Sequence, residues 1–155
     1  MSVIKCPSPS SSDSSIISDW ESRGDNKYQL AKGEGSFTEG SNNLALGKNS
    51  HAEGNGTVAS ASAAHSEGTG SRATGKYSHA GGLESIASGI YSFAHGFQST
   101  ASSNSSVAIG RELTVTGEGA TGIGRENTVS GQHAFAGGFQ STASGARTFA
   151  FGHTA

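Results

Sequence analysis

Small and larger residues alternate along this chain in units of seven, and each unit closes on glycine. Gly recurs at every seventh position from Gly33 to Gly152, filling sixteen of eighteen slots, with Ala61 and Ser103 the exceptions. Two residues before the slot stands Ala in thirteen of the eighteen units, as at Ala45, Ala52, Ala94, Ala108 and Ala143. Four before it stands most often Ser, as at Ser50, Ser78, Ser92, Ser106 and Ser141. Larger residues sit between them, so each unit reads small, large, small, large, Gly. That period-2 alternation predicts a strand of about five residues with one face of tiny side chains. The Gly and the two residues after it (Lys48-Asn49, Asn55-Gly56, Arg125-Glu126) predict the corner, where a residue without a Cβ can take positive φ.

Other seven-residue architectures do not fit. A coiled coil needs apolar a and d positions, and Gly in a helix interior costs about 1 kcal/mol relative to Ala, so a Gly-marked heptad without a Leu seam is not helical. Collagen needs Gly at every third position with abundant Pro, yet both prolines, Pro7 and Pro9, precede the repeat. Calcium-binding nonapeptide rolls need Asp, and none follows Asp25.

Odd and even units differ, so the structural unit is fourteen residues. Three before Gly, one set carries His51, His65, His79, Phe93, Val107, Thr121, Phe135 and Phe149. One before Gly, it carries Glu53, Glu67, Gly81, His95, Ile109, Ile123, Gly137 and Phe151. The other set reads Leu44, Val58, Arg72, Ile86, Thr100, Thr114, Thr128 and Thr142, with Leu46, Ser60, Thr74, Ser88, Ser102, Thr116, Ser130 and Ser144 beside them. The first face reads as buried over its C-terminal half and the second as solvated there. Strands this short must coil so that their inner faces meet, and Ala and Ser let two layers approach more closely than the usual ~10 Å. Larger inner residues are expected to split the coil.

The segments Asn43-Leu44-Ala45-Leu46-Gly47, Ser106-Val107-Ala108-Ile109-Gly110 and Ser50-His51-Ala52-Glu53-Gly54 resemble the head repeat of trimeric autotransporter adhesins, the YadA-like head, which also appears in phage and viral fibres. The resemblance covers roughly residues 29–154. It implies an all-β, left-handed parallel β-roll solenoid with fourteen residues per turn, assembled as a homotrimer. It also implies that His51, His65, His79, Phe93, Val107, Ile109, Ile123, Phe135, Phe149 and Phe151 face the threefold axis, with the Thr and Ser set facing out.

Composition agrees with an oligomer. Only 32% of residues are apolar, and at ~25 cal/mol per Å² an Ala-Ser interior offsets little of the entropy of ordering a Gly-rich chain. A shared apolar stripe is therefore expected. Residues 1–28 lack the repeat and read as a separate anchoring segment, with Ile16, Ile17 and Trp20 as its apolar cluster and a capsid, tail or appendage protein as its expected partner. Residues 29–155 form the roll. The lone Cys6 excludes an intrachain disulfide. A net charge of −2 suggests neither nucleic acid nor an anionic membrane as partner. No secretory signal and no membrane span is legible, so the expectation is a virion fibre or spike of a phage or large virus. The alternatives are a bacterial surface adhesin head, a spore appendage and an architectural capsid decoration.

Candidate chemistry is sparse. The repeats hold no Asp, no nucleophile with a base at useful spacing and no implied pocket, so no catalytic residue, enzyme activity or cofactor is expected. The run Gly117 to Gly122 matches a dinucleotide-loop pattern by chance, since no helix follows it. His51, His65 and His79 are fourteen apart and should stack beside Glu53 and Glu67; His–Glu hydrogen bonds across the axis that fix register are the preferred reading, without metal, and an axial ion is the alternative. Tyr77, Tyr91, Phe97 and Phe139 fall at corners, where aromatics suit contact with a host glycan or protein, or with a neighbouring subunit.

Overall fold

The computed structural model describes residues 29–155. The proposed anchor residues Ile16, Ile17 and Trp20, and Cys6, lie outside the described residues. Eighteen short strands form two nine-stranded sheets, one from the odd-numbered and one from the even-numbered strands in chain order. The chain therefore alternates between sheets and completes about nine turns, all pairings parallel. Register advances by fourteen residues per turn, as in Phe93↔Val107 and Val107↔Thr121. This is a parallel β-solenoid, and no helix occurs among the described residues.

The two sheets are not equivalent, which the heptad pattern did not show. Strands such as His51–Asn55, Phe93–Phe97 and Val107–Arg111 run five residues; those of the other sheet, such as Leu44–Ala45 and Thr100–Ala101, run only two. In the short units the backbone bends early: the N–H groups of Leu46 and Gly47 both reach the Ala59 carbonyl, at 2.9 and 3.4 Å. In the long units the strand continues through its glycine. Gly54 lies inside its strand with φ 102°, and a Cβ there would stand 2.1 Å from the Gly68 carbonyl oxygen one turn on.

The expectation that the repeat glycine takes positive φ therefore holds in the long-strand column, as at Gly54, Gly82 and Gly110, and is corrected for the short-strand column. At the corner the left-handed residue is two positions later and usually bears a side chain, as at Asn49 (φ 54°), Tyr77 (59°) and Tyr91 (58°). Ser50 N–H closes such a turn on the Gly47 carbonyl at 3.1 Å, with positive φ at the third of four residues as in a type II turn. Ala61 and Ser103 both fall in the short-strand column, where the slot does not take positive φ.

The interior is as small as the pattern predicts. Ala45, Ala52, Ala59, Ala73, Ala80, Ala87, Ala94, Ala101 and Ala108 are fully buried in one column system. Buried serines carry structure as well as space. Ser50, Ser78 and Ser92 donate to the carbonyl three residues back, at 2.7, 2.6 and 2.7 Å, pinning each corner. On the opposite wall Ser71, Ser85 and Ser99 reach across to the carbonyls of Gly82, Gly96 and Gly110, at 3.1, 3.2 and 3.0 Å. These are the glycines that sit in strands with positive φ, so the serines add a side-chain donor to carbonyls on the distorted part of each ladder, such as the Gly82 carbonyl that also accepts from Thr69 N–H at 2.8 Å.

The expectation that larger inner residues would split the coil is also corrected. Leu113, Val115 and Val129 are fully buried. The two valines fit because Gly122 stands opposite: a Cβ on Gly122 would lie 2.8 Å from Val115 Cγ2 and 3.3 Å from Val129 Cγ2. Volume is exchanged between the two walls and not added.

Candidate interaction face and imidazole column

The outer surface of the long-strand sheet carries the two columns marked by the sequence. Strict register stacks Phe37, His51, His65 and His79, then Phe93, Val107, Thr121, Phe135 and Phe149. The neighbouring column runs through His95, Ile109, Ile123, Gly137 and Phe151. All ten residues expected at the axis therefore lie on one continuous face. The face is half-buried to exposed in the single chain, with Phe149 and Phe151 at 74% and 68% exposure.

Rings continue the order of the backbone. His51 and His65 stack at 4.8 Å with planes 9° apart, His65 meets His79 edge-on at 4.7 Å, and Phe135 stacks on Phe149 at 4.9 Å. Two glycines in the second column make room for them. A Cβ at Gly81 would strike His95 and Glu67, and one at Gly137 would strike Phe151 and Phe135, each below 3 Å. Sequence reading placed these glycines on the face without seeing that neighbouring side chains fill their space.

The face divides by chemistry. Toward the C-terminal end Val107, Ile109, Ile123, Phe135, Phe149 and Phe151 make it apolar, and among large hydrophobics Ile109, Ile123, Phe149 and Phe151 are exposed. Toward the N-terminal end it is a ladder of imidazoles and carboxylates. There Glu67 Oε1 is 3.2 Å from His79 Nε2 and 3.6 Å from His95 Nε2. Burial opposes ionisation of Glu67, but the His79 hydrogen bond and the charges of His79 and His65 hold its carboxyl below the ordinary range. Burial, followed by the neighbouring His79 and His51, pushes the His65 imidazole below its ordinary value.

Within the chain a His–Glu hydrogen bond forms at Glu67–His79 and is missing one turn earlier, whereas the expected bonds run across the axis between copies. Glu53 stands 3.9 Å from His51 Nε2 and 3.6 Å from His65 Nε2, beyond hydrogen-bond range. Both ring nitrogens are out of solvent and without a hydrogen-bond partner.

The corners carry separate aromatic ladders. Tyr77 and Tyr91 stack at 5.1 Å and 5°, exposed, with Lys76 over the Tyr77 ring at 5.0 Å. At the other corner register aligns Phe97, Arg111, Arg125, Phe139 and His153. Arg111 covers Phe97 and Arg125 covers Phe139, each at 5.2 Å. Phe97 and Phe139 are consequently half-buried beneath their own chain's guanidinium groups, which lessens what they offer to a partner. The Thr100, Thr114, Thr128 and Thr142 ladder faces outward from the short-strand sheet, as expected.

Asn43 and Asn127 were missed as structural residues. Each is fully buried; Asn43 links Thr57 N–H at 2.9 Å to the Gly54 carbonyl at 2.9 Å, and Asn127 links Ser141 N–H at 2.8 Å to the Gly138 carbonyl at 3.1 Å. Their signal was visible as Asn in a slot held most often by Ser.

The YadA head domain repeat (2 copies) matches residues 39–60, 87–112, 116–141 and 130–155, more than half of the chain. The chain belongs to the YadA head repeat family. Within the YadA-like head described here, the matched segments include both the apolar end of the outer face and the His51–Glu53 rung. No curated protein matched the chain.

Proposed function

We propose that this chain is a non-enzymatic adhesin-head segment whose YadA-like rolls assemble as a homotrimer at a bacterial surface. Its left-handed coils pack through the long-strand faces, and its corners point outward. The apolar end of the outer face carries this reading: Val107, Ile109, Ile123, Phe135, Phe149 and Phe151 form one stripe on a solenoid whose own core is mainly Ala and Ser. A stripe of that kind is a partner surface in an otherwise polar molecule, and three copies around an axis cover it while leaving no edge for further growth. The exposed Tyr77–Tyr91 pair is then repeated three times for contact with a host glycan or protein, which raises avidity without a new contact.

The virion fibre expected from the sequence shares this mechanism but differs in where the rod is displayed. Membership of the YadA head family favours the bacterial surface. Sedimentation equilibrium of the full chain tests the assembly: a species of three chains is expected, and Ile109→Asp with Ile123→Asp should shift it to single or unfolded chains. A wild-type chain that sediments as a folded single subunit at micromolar concentration overturns the trimer.

A further inference from the structure

We propose that His51, Glu53 and His65 form a binding site for a divalent transition-metal ion, with two imidazoles and one carboxylate as donors. Their ligand atoms, all from one chain, lie within 4.8 Å of one another. The two nitrogens concerned, His51 Nε2 and His65 Nε2, are shielded from water and make no hydrogen bond. An unpartnered polar atom removed from solvent is costly and needs a counterpart.

The neighbouring rung shows that the arrangement is not a property of every His-Glu pair on this ladder. Glu67 reaches His79 at 3.2 Å and closes a hydrogen bond. Glu53 instead sits between two imidazoles, 3.9 Å from one and 3.6 Å from the other, and bonds to neither. Strand pairing sets the spacing: His51 and His65 are register partners on adjacent parallel strands, with rings stacked at 4.8 Å. Glu53 lies on the same outward face two residues beyond His51.

Imidazole and carboxylate donors suit zinc, nickel or cobalt and not calcium or magnesium, which prefer all-oxygen shells. A zinc ion about 2.0 to 2.2 Å from each donor needs donors roughly 3.4 Å apart. The carboxylate distances are already close to this, and rotation of the two imidazoles about their side-chain bonds would bring their nitrogens to the same ion. Three protein donors leave the fourth tetrahedral position for water. An ion held this way ties adjacent turns of the solenoid together near its N-terminal end. Since one chain supplies every donor, the site stands whether or not the proposed trimer forms.

The test uses the tag-free full chain, freed of metal by chelator and dialysis, then titrated calorimetrically with zinc chloride and desalted for elemental analysis. One zinc per chain is expected, displaced by nickel and unaffected by millimolar calcium or magnesium, with a zinc-dependent rise in melting temperature. His51→Gln and His65→Gln should each weaken zinc binding at least tenfold, and His95→Gln should leave it unchanged. Cobalt loading should give a visible d–d absorption band that His65→Gln abolishes. If a His variant loses its β circular dichroism, Glu53→Gln, nearly isosteric, is read in the same way. No retained zinc overturns the proposal. So does equal retention by a His51→Gln, His65→Gln double variant, or one zinc per three chains, which would place the ion on donors from different copies.

Discussion

Val115 Cγ2 stands 2.8 Å from the point where a Cβ on Gly122 would be, so the valine occupies the space that the glycine vacates across the solenoid interior. Gly122 does not take positive φ, and its requirement is steric alone. Gly122→Ala should destabilise the fold by about 1–3 kcal/mol, the range for overpacking a tight core. Val115→Ala in the same chain should recover part of that loss. Denaturant midpoints of the two single variants and the double variant measure the coupling, and strict additivity would contradict the exchange of volume between walls.

Gly54 faces a harder constraint, combining φ 102° with a carbonyl oxygen 2.1 Å from any added Cβ. Gly54→Ala should cost about 4 kcal/mol or more, in the range reserved for strained backbone and core disruption. Ala61→Ser, in the other column and matching the residue found at Ser103, should stay within about 0.5 kcal/mol. Thermal melts of the two variants check the contrast; comparable losses would mean that a side chain is tolerated no worse at the positive-φ slot than at the other.

Asn127 holds two turns together with its side-chain amide, donating to the carbonyls of Ile123 and Gly138 and accepting from Ser141 N–H. Asn127→Leu keeps the length and branching, adds some bulk, and strands a buried N–H and two carbonyls, so a loss of about 2–4 kcal/mol is expected. Amide hydrogen exchange at Ser141 should accelerate with it. Unchanged protection at that amide would show that the bridge is dispensable.

Glu126 gives the fold a mild acid sensitivity. The hydrogen bond from Gln140 at 2.8 Å, joined by the hydrogen bond and charge of Arg125, holds its carboxyl below the ordinary value against a smaller opposing effect of desolvation. A carboxyl depressed in the folded state favours folding above its unfolded pKa, and that contribution is lost as pH falls through the folded value. The melting-temperature gap between wild type and Glu126→Gln should therefore be present at pH 6 and close below about pH 4. The effect is small because the contacts lie near the surface, where solvent screens them, and 0.5 M salt should shrink it. A Glu126 carboxyl titrating at the usual glutamate value in NMR would count against it.

Much of this architecture was legible because a solenoid converts sequence period directly into spatial register. Residues fourteen apart become neighbours, so the Ala core, the Thr ladder and the column from His51 to Phe149 could each be placed from spacing, while the axial role of that column came only from the family resemblance. The short strands were less legible. The early bend at Leu46 and Gly47 depends on both amides reaching one carbonyl in the next turn, a contact absent from either heptad by itself.

What the sequence determined alone is therefore the repeat, the two-sided alternation and the family, since side-chain size at fixed intervals decides which residues can face a thin interior. Tertiary structure decided everything that depends on distance between turns. It put Gly122 against Val115, covered Phe97 and Phe139 with Arg111 and Arg125, and left two imidazole nitrogens beside Glu53 without partners while Glu67 and His79 paired. The physical reason is scale: a period locates a column of residues, but a hydrogen bond, an ion site or a steric clash is settled by differences of less than one ångström within that column.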